Sequence, residues 1–208
     1  MKRDVTTMMA GAERLLETIE NPRHRAILQN YRRHAMLEVS NRIDEIFSPE
    51  MTVEHPVYVQ YRPDGTRAVL DGKAAVVEVF YGHLIKYGAN VMILEDEHIA
   101  VADWGFASEY MSNDYITGDT ARARGFDVDD LSAMYVHQHA VIMTWRYSDD
   151  CRLIGENVAK ESAGKLSLLA PDEIITIDEA HRALAPLIGP PPPRYDYHGN
   201  PLPTVAMA

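Results

Sequence analysis

The sequence predicts an α+β domain: a curved antiparallel sheet wrapped around N-terminal helices, followed by a proline-rich extension. Three observations predict it. The first 47 residues carry apolar side chains at helical spacing. Near Met51 the period changes to alternation, rich in valine and tyrosine. Beyond one further helical stretch, a run of alternating segments is separated by short turn signals. Helices followed by consecutive strands imply an α+β layer arrangement, in contrast to the βαβ alternation of a parallel sheet.

The elements follow in order. Residues 6–20 read as a helix capped by Thr6 or Thr7, with Met8, Ala12, Leu15, Leu16 and Ile19 as its stripe. Asn21-Pro22 breaks it, and a second helix runs over 23–47 with Ile27, Tyr31, His34, Met36, Leu37, Ile43 and Phe47 on its apolar-to-amphipathic side. Residues 51–61 read as a strand, Pro63-Asp64-Gly65 as a turn and 66–70 as its partner strand. A helix over 73–87 follows, with Val76, Val79, Phe80 and Leu84 on one face. Further strands are expected at 89–95, 98–111, 133–147 and 152–162, with a polar loop or lid at 112–130. A short helix is expected over 172–187. The run Pro190–Pro193 favours polyproline II, packed across a neighbouring subunit or tethered as a surface tail. The division expected is a domain over 1–170 and a helix with a tail over 171–208.

Composition excludes several classes of function. The chain has 208 residues and a formal net charge of −11. That balance argues against nucleic acid and anionic lipid as partners, because both need a concentrated basic face. The basic cluster from Arg23 to Arg33 reads as a solvated helix face as readily as an anion site. A single cysteine, Cys151, fits a reducing cytoplasm and reads as a small turn residue. The N-terminus has no secretory pattern, and no stretch has the length to span a bilayer. Glycines stand apart without a phosphate-cradling loop, so no nucleotide cofactor is expected.

Strand parity then locates the chemistry. Tyr135, His137, His139, Val141, Met143, Trp145 and Tyr147 share one face, and Glu156, Val158 and Lys160 share one face of the next strand. Two imidazoles on one strand face near a carboxylate invite a transition metal, but no further histidine or cysteine spacing supports one, and no metal is expected.

The segment Phe47-Ser48-Pro49-Glu50-Met51-Thr52-Val53-Glu54-His55-Pro56 resembles the first strand of ketosteroid-isomerase and SnoaL-like proteins, a branch of the nuclear-transport-factor-2-like superfamily. Asp71-Gly72-Lys73 leading to Phe80-Tyr81, and the hairpin from Trp145 to Ile154, fit the same pattern. The resemblance covers about residues 25–162 and implies a cone-shaped fold whose concave sheet face lines a pocket. It places His55 where the isomerases carry their catalytic aspartate, Tyr31 at their oxyanion-binding tyrosine, and Met143 where they carry a protonated aspartate. The isomerase oxyanion pair is therefore incomplete.

Within the superfamily, the histidines, tyrosines and inward lysine are most similar to the sphingomonad diarylpropane lyases. That similarity implies cofactor-free loss of a benzylic hydroxyl through a quinone methide, then release of formaldehyde to give a stilbene. His55 with His137 or His139 would serve as acid and base, and Lys160 or Tyr31 would steady the phenol oxygen. Glu156, Tyr58, Arg62, Trp104, Tyr110, Met143 and Trp145 would contact a small aromatic substrate. Each has a bland alternative: a histidine held by a carbonyl, a core tyrosine, or a Lys160–Glu156 ion pair. A polyketide cyclase, a steroid dehydratase or isomerase, and a non-catalytic binding or assembly module are the other functions the sequence allows. A homodimer or homotrimer is expected.

Overall fold

The computed structural model describes residues 1–62, 64–86, 91–161 and 163–204. Seven strands form one curved, unclosed sheet: β1 (Val57–Tyr61), β2 (Arg67–Asp71), β3 (Met92–Ala102), β4 (Gly105–Thr117), β5 (Met134–Tyr147), β6 (Leu153–Lys160) and β7 (Lys165–Leu168). Their order is β2-β1-β6-β5-β4-β3, with β7 pairing the first part of β5. Only β1–β6 is parallel; the other pairs are antiparallel. The expected α+β architecture is present. Register shifts between Glu95 and His98 and between Arg146 and Tyr147 interrupt the ladders, and such irregularities increase local twist and bend.

Helix α1 (Ala10–Thr18) leads to α2 (Pro22–Val39), the central helix. Asn21-Pro22 both ends the first segment and starts the second: the Asn21 side chain accepts from the Arg23 and His24 amides, and Pro22 occupies the first turn. Ile27, Tyr31, His34, Met36 and Leu37 are buried against the sheet, as their spacing predicts. The single helix expected over 23–47 is broken at Asn41, whose φ of 55° is left-handed, and resumes as α3 (Ile43–Ile46).

Several boundaries move. Residues 51–56 are not strand; Thr52 bridges Leu153 in parallel and Pro56, which has no amide proton, precedes β1. The expected strand over 98–111 is the second half of β3, a tight turn at Asp103-Trp104 and most of β4. The start expected at 89 lies outside the described residues, as do Pro63 of the first turn and the ends expected at Tyr87 and Ser162. The lid expected at 112–130 is instead the last part of β4 followed by α6 (Gly118–Ala123), capped by Thr117. Strand β7 was not anticipated, and the final helix is shorter than expected, a 3-10 turn over Pro171–Glu173 and α7 (Ile177–Leu184).

The helix after β2 contains α4 (Lys73–Ala75), a π-helical stretch Val76–Tyr81 and α5 (Gly82–Lys86). The wider π turn changes the helical phase, so Val76 and Tyr81 are fully buried while Val79 is 56% exposed. Gly155, with φ 158°, lets β1 approach β6: a Cβ there would stand 1.8 Å from the Val57 carbonyl oxygen. The tail packs on its own chain. Its proline run lies beside α1 and α2, and Arg33 Nε donates to the Gly189 carbonyl.

Arg23 is fully buried, contrary to a solvated reading of the basic cluster. Its guanidinium donates to the carbonyls of Asp103, Ser148, Asp149 and Tyr195 at 2.7–3.1 Å. It ties the β3–β4 turn, the β5–β6 turn and the tail together, with the Tyr197 ring 4.1 Å from its carbon.

Candidate active site

The inward face of the sheet reads as cross-strand layers. From β4, Phe106, Ser108, Tyr110, Ser112 and Asp114 stand beside Trp145, Met143, Val141, His139 and His137 of β5. From β6, Glu156, Val158 and Lys160 stand beside Trp145, Met143 and Val141. Same-face neighbours on paired strands are within side-chain reach, so parity creates one continuous wall. Two connected spaces lie against it. An outer cavity of about 530 Å³ is lined by Arg62, Phe80, His83, Arg124, His137 and His139, among others. An inner chamber of about 50 Å³ is lined by residues that include Tyr31, His34, Glu38, Tyr110, Trp145 and Glu156. Gln60, Phe80, Val158 and Lys160 line both and form their junction.

The inner chamber is aromatic with a few carboxyl groups. Tyr31 packs against Phe106 and Trp145, and its hydroxyl donates to Glu97 at 2.6 Å. Burial, then the charge of Glu97, raises that phenol well above its usual range. Trp145 Nε1 and the Tyr110 hydroxyl both point at the Met143 sulfur. His34 lies edge-on to Trp145 and bonds the Tyr81 hydroxyl at 2.8 Å, which in turn donates to Glu38 at 3.3 Å.

Glu156 is strongly perturbed. It is buried, and its Oε1 has no hydrogen-bond partner among the described residues. Burial and the nearby charge of Glu38 push its pKa up to about 8, against the opposing influence of Lys160 and Tyr58. A carboxyl with that pKa is mostly protonated at neutrality. Tyr58, expected to contact substrate, is wholly buried, and its hydroxyl lies against Glu156 and Tyr81 without a well-formed bond. Lys160 and Glu156 form no ion pair within 4 Å.

The outer end is organised on Asp114. Its Oδ1 accepts from Ser112 at 2.6 Å, and its Oδ2 accepts from Arg124 at 2.9 Å and from His139 Nε2 at 3.1 Å. Burial opposes the charge of Asp114, but the His139 bond and the nearby Lys160 and Arg124 outweigh it and hold the carboxyl well below its usual range. Arg124 Nη1 also lies 2.9 Å from His137 Nδ1, so His137 accepts there and donates through Nε2 to the Ala163 carbonyl at 3.3 Å. Burial, then the neighbouring His139, lowers the His137 pKa to about 4. The two imidazoles stack at 4.4 Å. Gly164, at φ 57°, passes directly over them; a Cβ there would stand 2.7 Å from His137 Nε2. Asp114, His137 and His139 each offer a ligand atom within 4.8 Å of the others. A metal ion could use that set, but the Arg124 guanidinium already places a positive charge on two of the three.

The structure thus brings Tyr31, His137, His139, Lys160, Glu156, Arg62, Tyr110, Met143 and Trp145 around the outer cavity and its inner chamber, while Tyr58 is buried next to Glu156 and lines neither. The fold separates two others from both spaces. His55 is on the outside, 71% exposed and bonded to Asp71 at 2.8 Å, because residues 51–56 turn before β1 begins. Trp104 is at the β3–β4 turn, 46% exposed, because the hairpin reverses there. Sequence reasoning missed Asp114, Arg124, His34, Glu38 and Tyr81. His34 and Glu38 are four apart on one helix face, and Asp114 continues the parity of β4; both signals were present.

No known protein family matches the chain, and no curated protein matches it. Solved structures similar to it include a phenazine biosynthesis-related protein from Pseudomonas aeruginosa, at 11% identity and TM-score 0.45 over 73% of this chain and 96% of that one. The epoxide hydrolase/cyclase-like enzyme SalBIII of salinomycin pyran-ring formation aligns at 14% and 0.43, over 71% and 95%. An NTF2-like superfamily protein from Salmonella enterica aligns at 12% and 0.42, over 80% and 98%. Likeness at this level carries no inference about chemistry.

Proposed function

We propose that the cavity is the active site of an acid–base lyase acting on a small phenolic aromatic dimer, with Glu156 as the proton donor. The observation that carries this reading is the Glu156 carboxyl: buried, facing the chamber, with one oxygen short of a hydrogen-bond partner, in surroundings that raise its pKa to about 8. A general acid works best when its pKa lies near the working pH. The outer cavity has the size of a site for a drug-sized molecule.

Distance along the sheet supports Glu38 rather than a histidine as the base. Glu156 pairs with Trp145, six residues along β5 from His139, which is about 20 Å at the usual strand rise. Groups that far apart cannot act on neighbouring carbons. Glu38 also lines the chamber, and its charge is close enough to raise Glu156, so in this reading the two carboxyls divide the roles of acid and base. His137 and His139 belong to the far end of the substrate.

The specific form we propose is deformylation of a diarylpropane diol. Glu156 protonates the benzylic hydroxyl, the C–O bond breaks and water leaves. Loss of the phenol proton, which restores Glu156, gives the quinone methide. Glu38 then takes the proton of the terminal hydroxyl. The C–C bond breaks, formaldehyde leaves, the electron pair returns the ring to a phenolate steadied by Lys160, and the proton held by Glu38 passes to that phenolate. Substrate becomes one stilbene, one water and one formaldehyde. Incubation with phenolic diaryl diols should yield stilbene absorbance and formaldehyde in equal amounts. Folded protein that yields neither contradicts the lyase; turnover of ketone substrates without a one-carbon product would establish a cyclase or isomerase instead.

A further inference from the structure

The charge of the outer cavity is opposite to that of the chain. The protein has 31 acidic against 20 basic residues. Yet among the described residues Arg62, Arg124 and Lys160 line this cavity together with three histidines, and Glu161 is the one carboxylate of that lining. Asp114 is not available to a ligand: it sits behind the cavity wall, with its oxygens taken by Ser112, His139 and Arg124.

Arg124 is also held in place. Its Nη1 is committed to Asp114 and His137, and among the described residues no bond engages its Nε or Nη2. The side chain is 27% exposed, at the cavity surface. A guanidinium oriented by a buried carboxylate, with its Nε–Nη2 edge left over, matches a planar carboxylate in two parallel bonds. Preorientation removes most of the ordering cost of binding. Across the cavity, Leu70, Val79, Phe80, Leu84 and Val158 supply an apolar face.

We propose that the outer cavity is a carboxylate-binding subsite centred on Arg124, with Arg62 and Lys160 adding charge, so that the substrate is an aromatic acid bound as its anion. This rests on the cavity being the substrate site. The carboxylate lies at the His137–Asp114 end, and the reacting hydroxyls reach the inner chamber past Phe80.

Calorimetric titration of the full chain with trans-stilbene-4-carboxylate and with its neutral primary amide tests the subsite without turnover. The acid should bind about tenfold more tightly than the amide, as a charge-assisted bidentate pair predicts. The preference should shrink with added salt. Arg124→Gln should abolish it while leaving amide affinity unchanged, and Glu156→Gln should keep it. Arg62→Gln, on the rim and outside the Asp114 cluster, should reduce it even if Arg124→Gln fails to fold. Equal affinity for acid and amide overturns the subsite alone. Binding of neither by folded protein overturns both the subsite and the lyase. Tighter binding of phenyl phosphate than of benzoate overturns the choice of carboxylate.

Discussion

Two buried polar clusters stand at different parts of the sheet and are built on opposite terms. Around Arg23, a cation is enclosed by backbone carbonyls of three separate segments. Around Glu156, a carboxyl is enclosed by aromatic rings and a second carboxyl, and one of its oxygens has no partner. Burial alone does not distinguish them. A satisfied buried charge fixes the chain, whereas a buried polar group short of a partner costs stability and leaves its bonding capacity for a ligand. The pair separates structure from chemistry within one molecule.

The largest expected effect breaks the first cluster. Arg23→Met should cost about 3–5 kcal/mol of unfolding free energy, because carbonyls of three segments lose their charged donor together, at about 1–3 kcal/mol for each buried acceptor left unpaired. Denaturant titration would measure it, and turnover per folded molecule should be unchanged. Glu156→Gln should do the reverse: turnover falls about 10²–10⁴-fold, the range for a lost general acid, while the fold remains intact.

Stability against pH sharpens the contrast. Folded Glu156 keeps its proton up to about 8, whereas the unfolded carboxyl releases it near 4.5. Between those values the folded state holds more protons, so stability falls as pH rises, by at most about 1.4 kcal/mol per pH unit. Glu156→Gln should remove that decline and be more stable than the parent at alkaline pH. His137 acts in the opposite sense. Its folded pKa of about 4 lies below the ordinary 6.5, so the unfolded state binds the proton first and stability falls as pH drops through that window. His137→Gln should flatten this acid limb. The smallest effect belongs to His55→Ala: its pair with Asp71 is exposed on both sides, and such pairs contribute about 0–1 kcal/mol. Turnover should stay within a few-fold, and a large loss would restore His55 to the chemistry.

The comparison also shows what the sequence can reveal. The alternation of β5 names seven buried side chains in order, because period-two burial is a local property. The helical stripe of α2 is equally local. Arg23 could not be assigned this way, since its partners come from residues 103, 148, 149 and 195, brought together only by the fold. Asp114 was lost for a simpler reason: ending β4 at 111 turned a wall residue into a loop residue. His55 was placed by resemblance, and the turn at 51–56 carried it outside. Parity therefore located the wall, while the proximity of Glu38 to Glu156 needed the packing of α2 against the sheet.

The most direct test of Glu156 as a stored proton is infrared difference spectroscopy of the free protein across pH. A protonated-carboxyl C=O band should be present near pH 6, disappear through about pH 8, and be missing in Glu156→Gln. Absence of that band at neutral pH, or its survival in the variant, would contradict the assignment of Glu156 as the acid.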